Sequence, residues 1–375
     1  MALPPARRAD DRDRLADRAP RLHPAPSLEV RPAVPARRAR PGRLQAAHRY
    51  GRRRVVPRPL RIDHGRGHLV NHIIAVHQPG EAGWIKPGSP EHLATISPSK
   101  VGAIMGLSRW ESPYSLWCRM KGLLPPEAPK DAYDLGHDVE PFAANRWRRK
   151  NPGWLLSPGE VQFIVDPDHF GFPAMATLDR RGVRGRSRRV VEFKMARDQN
   201  DADKWGDDLS GDLPPDYWTQ VLVSMLFTGW TDLPGHLLAM GPRIDDERIY
   251  EVVYDTDAKE EAAFIIAECR RFYESLSGDT APDLDDSPAT YETVRAQHPD
   301  IEKGAEVELT SELAEEFLTA TTDLKVLESA ARLAKTRVLD AMKNAQYARC
   351  NGTLIARRQP SSRGSVALYA AKGSK

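Results

Sequence analysis

The sequence predicts an α/β fold, a mixed central sheet flanked by helices and followed by a C-terminal helical extension. Three observations carry this. Short runs rich in β-branched and aromatic residues alternate with longer segments of helical period, the pattern of a sheet covered by helices. A Pro/Asp-rich passage, Pro282-Asp283-Leu284-Asp285-Asp286-Ser287-Pro288, then interrupts that alternation. Beyond it Leu313, Phe317, Ala320, Leu324, Leu327, Ala331, Ala334 and Val338 keep a four-three spacing. That spacing predicts one long helix with an apolar seam, either folded back on the body or self-associating.

The charge is unevenly placed. Residues 1–70 hold 18 arginines against six acidic residues, whereas the remaining 305 hold 37 Lys plus Arg against 46 Asp plus Glu. The net +3 therefore joins a basic arm to an acidic body. Residues 1–85 are rich in Arg, Pro and Ala, with few aromatics and no sustained period. Such a segment cannot bury enough apolar surface to offset its ordering entropy, and it is predicted to be disordered. Three readings of it stand side by side: a nucleic-acid-binding arm, a solvated tail, or upstream sequence translated from an early start.

Residues 86–280 read as the globular part. Helices are predicted at 98–105 and 115–121, separated by Ser108 and Ser112-Pro113, with a Pro-rich loop at 125–129. A helix at 140–150 sets Phe142, Ala143 and Trp147 on an apolar stripe and Arg146, Arg148 and Arg149 on a solvated face. Strands are predicted at 160–165, 175–179, 190–194, 236–240 and 248–254, and helices at 220–227 and 258–275. Residues 281–309 read as a linker, 310–358 as the long helix plus a hairpin announced by Asn351-Gly352, and 359–375 as a flexible tail.

Cys118, Cys269 and Cys350 are far apart and form no C-x-x-C pair, so neither a disulfide framework nor a zinc or iron–sulfur site is indicated. No apolar run approaches the roughly 18 residues of a membrane span, and none reads as a secretory segment. The expectation is a cytoplasmic protein with reduced thiols and no membrane partner.

The most informative residues are Asp179 and the run Val190-Val191-Glu192-Phe193-Lys194. Strand side chains alternate, so Glu192 and Lys194 share one face. Glu-x-Lys also occurs in surface strands as a plain salt bridge. Here the acid stands among strand formers that want burial, which is costly unless the charge meets a cation. Two carboxylates a hairpin apart can hold a divalent ion, and the neighbouring ammonium can orient or deprotonate a water and offset charge growing on a phosphate. The connection 180–189 has the glycines of a hairpin loop and six arginines.

Four blocks give the chain a resemblance. They are 96–110 with 112–117 and Lys121-Gly122; Gly136-His137-Asp138-Val139-Glu140-Pro141; Ala176-Thr177-Leu178-Asp179 with Val191-Glu192-Phe193-Lys194; and Trp205-Gly206 with 214–229. In this order over roughly residues 90–280, they resemble the YqaJ-type viral recombinase family, which is similar to phage lambda exonuclease within the PD-(D/E)xK nucleases. The resemblance implies a restriction-endonuclease-like core and one or two Mg²⁺ ions, with Mn²⁺ as a substitute. It implies that Asp179, Glu192, Glu140 and the Phe193 carbonyl hold the metal, directly or through water. Lys194, Glu192 and Gln220 would be catalytic, Lys194 positioning or deprotonating the attacking water and Gln220 orienting it or the phosphate. Arg180 stands where the family usually has glycine, and suggests a longer turn and a phosphate contact.

Some of these residues have plainer readings. Glu140 also suits a first helical turn, and Gln220 could serve the water, DNA or only backbone. Ser97-Pro98 is a helix cap followed by proline at the first helical position, and the same geometry is an anion site. By resemblance, Ser97, Ser99, Lys100 and Arg109 would bind the 5′-phosphate of a DNA end. The implied partners are double-stranded DNA ends, further copies in a homo-oligomeric ring and a single-strand annealing protein, in the bacterial host cytoplasm if phage-encoded. The expected activity is metal-dependent, 5′-to-3′ exonucleolytic resection of linear duplex for recombination. A restriction or repair endonuclease and a non-catalytic end-binding protein are the alternatives.

Overall fold

The computed structural model describes residues 72–125, 131–195, 205–241, 243, 245–360 and 364–371, with side chains of 131–135 excepted. It divides into two units, one ending at His298 and one running from Pro299 to Lys375. The arginine-rich segment up to residue 71 lies outside the described residues, as does the end of the predicted tail at 372–375.

The first unit opens with β1 (Ile73–His77), then α1 (Pro90–Leu93), α2 (Pro98–Ile104), α3 (Pro113–Met120) and α4 (Asp131–Lys150). There follow β2 (Leu155–Leu156), β3 (Val161–Val165), α5 (Pro167–Phe170), β4 (Ala174–Leu178), β5 (Arg180–Arg184) and β6 (Ser187–Met195). The unit closes with α6 (Pro215–Thr228), β7 (Gly235–Met240), β8 (Glu247–Val252), α7 (Thr256–Ser275) and α8 (Pro288–Gln297). Ser-Pro pairs start α1, α2, α3 and α8, with proline where no intrahelical N–H is needed. Ser89, Ser112 and Ser287 accept a hydrogen bond from an N–H of the first turn, but Ser97 does not.

Two sheets result. One has the order β1-β3-β4, and the other the order β2-β5-β6-β7-β8 with β6 and β7 parallel. That parallel pair needs a crossover, and α6 supplies it. The chain passes from one sheet to the other through Asp179, between the end of β4 and the start of β5. Strand β6 is buried on both faces. Val190 packs with α6 and α7 residues such as Val221 and Ile265, while Val191 and Phe193 pack with Trp147 of α4 and with Leu238 and Ile249. The period-two alternation consequently puts Glu192 and Lys194 on the α6 side.

In this unit four sequence expectations change. The segment taken as disordered up to residue 85 includes β1, which pairs with β3, and Ile85, whose backbone is held at both ends by the Gln162 amide. Most of the expected arginine loop is strand: Arg180 to Arg184 pair with Val191 to Ser187, and only a tight turn at Gly185 (φ +58°) separates them. The expected linker contains α8, capped by Ser287 and fastened to α3 by Thr290 to Ser112 at 2.6 Å and Tyr114 to Gln297 at 2.9 Å. Helix α4 begins nine residues before Glu140 and carries Pro141 within it.

The second unit holds α9 (Ser311–Met342) and an antiparallel sheet of β9 (Tyr347–Cys350), β10 (Thr353–Pro360) and β11 (Val366–Ala370). Asn351 and Gly352 both have positive φ, the geometry that a two-residue hairpin turn requires. β11 occupies part of the expected flexible tail, because Val366–Ala370 pair residue by residue with Pro360 back to Ala356 of β10. Leu313, Phe317, Leu324 and Leu327 of the α9 seam are exposed.

Candidate active site

Asp179, Glu192, Lys194 and Gln220 come together where the two sheets meet. The Phe193 N–H donates to Asp179 Oδ2 at 2.7 Å, so the strand that carries Glu192 also fixes the aspartate. Gln220 reaches from α6 to donate its amide to Glu192 Oε2 at 3.1 Å, and Lys194 Nζ lies 3.9 Å from the same oxygen. Gln220 is therefore neither a bystander nor a simple backbone partner. Its amide fixes the orientation of the glutamate.

Glu192 is 1% exposed, and its Oε1 meets no hydrogen-bond partner among the described residues. Burial first, then the charge of Asp179, pushes its carboxyl well above the usual range, with Lys194 pulling the other way. A buried carboxylate beside a second one, with an oxygen left free, is a donor set that fits a hard divalent cation. Burial alone would lower the Lys194 ammonium, but Glu192 and Asp179, then Tyr217 and Asp216, outweigh it and raise its pKa. The side chain keeps 24% exposure and lies over the Tyr217 ring, 5.6 Å from its centre.

Glu140 stands differently. Its Oε2 accepts from Arg180 Nη1 at 2.9 Å, and the same nitrogen donates to the Asp179 carbonyl at 2.5 Å. Its Oε1 faces His137 Nδ1 at 3.1 Å. The donor atoms of His137, Glu140 and Glu160 lie within 4.8 Å of one another, a group that could itself hold a cation. Glu160 is raised by burial first, then by Asp179 and Glu140, so the two acidic groups sense each other. Arg180 is buried between them, which removes the expected surface contact with a phosphate.

The expected end-binding residues separate. Ser97 is buried with its hydroxyl on Ser99, and Ser99 itself is exposed. Lys100 is 2% exposed and donates to the carbonyls of His92 and Thr95, which corrects its assignment to DNA. Burial, followed by the charge of Arg119, drops its pKa to about 7. Arg109 is exposed and lies over Trp110, 4.7 Å from the ring centre. Its charge and that of Lys194 both reach Asp216 at the start of α6, whose carboxyl burial raises. Gly102 lets α2 approach there, since a Cβ on it would lie 3.3 Å from Asp216 Cβ. The block carrying Arg109 is thus brought against the helix that carries Gln220.

Sequence reasoning gave no role to His137, Glu160, Asp216 or Tyr217. His137 was legible, because residues three apart share a helical face with Glu140. Glu160 sits just ahead of β3, and nothing local signals that β3 begins opposite Leu178, next to Asp179. Among the described residues no helix is long and apolar enough to cross a membrane.

The uncharacterized protein YqaJ of Bacillus subtilis (strain 168) is 24% identical over 271 residues, covering 68% of this chain and 78% of that protein. The alkaline exonuclease LHK-Exo from Laribacter hongkongensis shares 19% identity, with 49% of this chain and 89% of that chain covered at a TM-score of 0.37. Its complex with dAMP gives 0.38 over 50% and 90%, at the same identity. The model of the YqaJ-like viral recombinase domain matches residues 90–231, the segment that carries Glu140, Asp179, Glu192, Lys194 and Gln220. Over that segment the chain is similar to the YqaJ-like viral recombinase domain.

Proposed function

We propose that the chain is a metal-dependent deoxyribonuclease that resects linear duplex ends, starting at a 5′-phosphorylated terminus. The observation that carries this is Glu192: a fully buried carboxylate with one free oxygen, beside Asp179, and held from its other oxygen by Gln220 and Lys194. Asp179 and Glu192 would hold Mg²⁺, with Mn²⁺ as a substitute and the Phe193 carbonyl as a further donor. When bound, the ion would polarise a phosphoryl oxygen and acidify a water. Lys194, on the same face as Glu192, orients the attacking water and offsets charge on the phosphate. Gln220 keeps Glu192 from turning away, and Phe193 N–H does the same for Asp179.

Two further features support an end-directed enzyme. Arg109, exposed and electrostatically linked with Lys194 through Asp216, puts a guanidinium near the site, suited to a terminal phosphate dianion. Ser99 adds an exposed hydroxyl at the first turn of α2. We also assign a homo-oligomeric assembly and a single-strand annealing partner, in keeping with the resemblance of residues 90–231.

The deciding experiment incubates the purified chain with 5′-phosphorylated linear, 5′-hydroxyl linear and closed circular duplex, each with Mg²⁺ or EDTA. Digestion confined to linear DNA, faster from the phosphate and stopped by EDTA, is expected. Efficient cutting of closed circles would move the assignment to an endonuclease, and no cleavage in any arm would leave a non-catalytic DNA-binding protein.

A further inference from the structure

We propose that Arg180 is a resident cation of the acidic site, which a divalent metal ion displaces from Glu140. Loading the site would exchange a guanidinium–carboxylate pair for coordination by Glu140. This rests on the reading of Asp179 and Glu192 as metal ligands.

The pair is buried. The Arg180 and Glu140 side chains are 5% and 15% exposed. In such surroundings a carboxylate left without a cation is costly, so Glu140 needs Arg180 when no metal is present. Yet the pair is incompletely satisfied. A single nitrogen, Nη1, serves both Glu140 and the Asp179 carbonyl, and the buried Nε meets no partner among the described residues. A bidentate fork would have been the tight arrangement, and this is not one.

Geometry also says what moves. Arg180 pairs with Val191 in the sheet, so its backbone is fixed next to Asp179 and only the side chain can leave. Its guanidinium carbon lies over the Phe193 ring, 5.7 Å from the centre. Glu140, in contrast, is already turned toward other donors. Its second oxygen faces His137, and His137, Glu140 and Glu160 converge within 4.8 Å. With Arg180 in place one oxygen of the α4 glutamate is taken up by a guanidinium that also bonds the Asp179 carbonyl. With Arg180 released, that oxygen would be available to a metal ion held by Asp179 and Glu192.

The test is a double-mutant cycle read by isothermal titration with Mn²⁺ and by thermal unfolding, on the full chain. Arg180→Gln keeps length and hydrogen bonding but drops the charge, and it should bind Mn²⁺ roughly tenfold tighter than wild type, because the ion no longer competes with a buried guanidinium. Arg180→Lys keeps the charge with a single-point contact and should fall between the two; it decides the matter if Arg180→Gln does not fold. Without metal, Arg180→Gln should melt lower than wild type, and Mn²⁺ should raise its Tm by more. In a Glu140→Gln background the gain from Arg180→Gln should vanish. Unchanged Mn²⁺ affinity in both Arg180 variants would overturn the exchange, and so would a gain that persists undiminished without the Glu140 charge. If Asp179→Asn and Glu192→Gln bind Mn²⁺ as wild type does, the ligand assignment itself falls and the exchange with it.

Discussion

Glu192 and Gln220 are joined by a 3.1 Å hydrogen bond between strand β6 and helix α6, across 28 residues of chain. This bond connects the fold to the chemistry, because the parallel β6–β7 pair requires the crossover that α6 provides, and the crossover delivers the amide. Glu192→Gln should remove a donor while leaving packing untouched. Cleavage of linear duplex should fall by about a hundredfold or more, and so should it in Lys194→Ala. Glu192→Gln should not melt lower than wild type without metal, since the group it replaces is a destabilised buried carboxylate. Near-normal digestion by both variants would remove the site from these residues.

The N-terminal boundary can be set by truncation. A chain starting at Asn71 should fold and digest DNA as the full chain does at low salt. One starting at Gly80 loses β1, its ladder to β3 and the His72 bond to the Phe227 carbonyl at 3.0 Å, and should be less stable by about 1–3 kcal/mol. Equal urea midpoints for the two truncations would show that β1 contributes nothing.

That boundary shows where sequence reading stopped. Glu192, Lys194 and Asp179 were legible because an acid and a lysine two residues apart stand in an apolar strand, a local signal. Ser-Pro starts and Asn351-Gly352 were legible for the same reason, since caps and turns are short-range chemistry. Ile73–His77 was not, because it lies in an arginine-rich context and becomes a strand only by pairing with Val161–Val165, some 90 residues later. The burial of Lys100 and Arg180 was likewise hidden. A lysine beside a helix cap and an arginine in a basic run both read as surface charge, and only the tertiary contacts of His92, Thr95 and Glu140 enclose them.

Lys100 and Arg109 should therefore behave oppositely. Lys100→Met leaves two carbonyls without their donor and should destabilise the fold by about 1–3 kcal/mol, with DNA affinity unchanged in the folded fraction. Arg109→Ala, at an exposed position, should leave stability within about 0.5 kcal/mol and reduce the preference for 5′-phosphorylated over 5′-hydroxyl ends. Denaturation midpoints and initial rates on the two substrates check both. A loss of end preference in Lys100→Met alone would restore the lysine to the DNA surface.

Acid should weaken the fold through two histidines. His236 is buried against Trp147, whose indole N–H donates to its Nδ1 at 3.1 Å, while Nε2 faces Glu251 at 3.1 Å. Burial and the adjacent Arg189 guanidinium lower its pKa to about 3. His92 is lowered to about 4 by burial, then by Lys100 and Arg119. Both are neutral in the folded chain, whereas an unfolded histidine titrates near 6.5. Between those values the unfolded chain binds more protons, so stability is whole above about pH 6.5 and is lost as the pH falls toward 4 and 3. Each histidine can add a slope approaching about 1.4 kcal/mol per pH unit. Glu192, whose pKa is raised, acts in the opposite sense and gains stability as it protonates. Urea midpoints at pH 7.5, 6 and 5, in wild type and in His236→Gln, measure the difference. The variant should start less stable and lose less on acidification, and parallel curves for the two proteins would mean that His236 is not the titrating group.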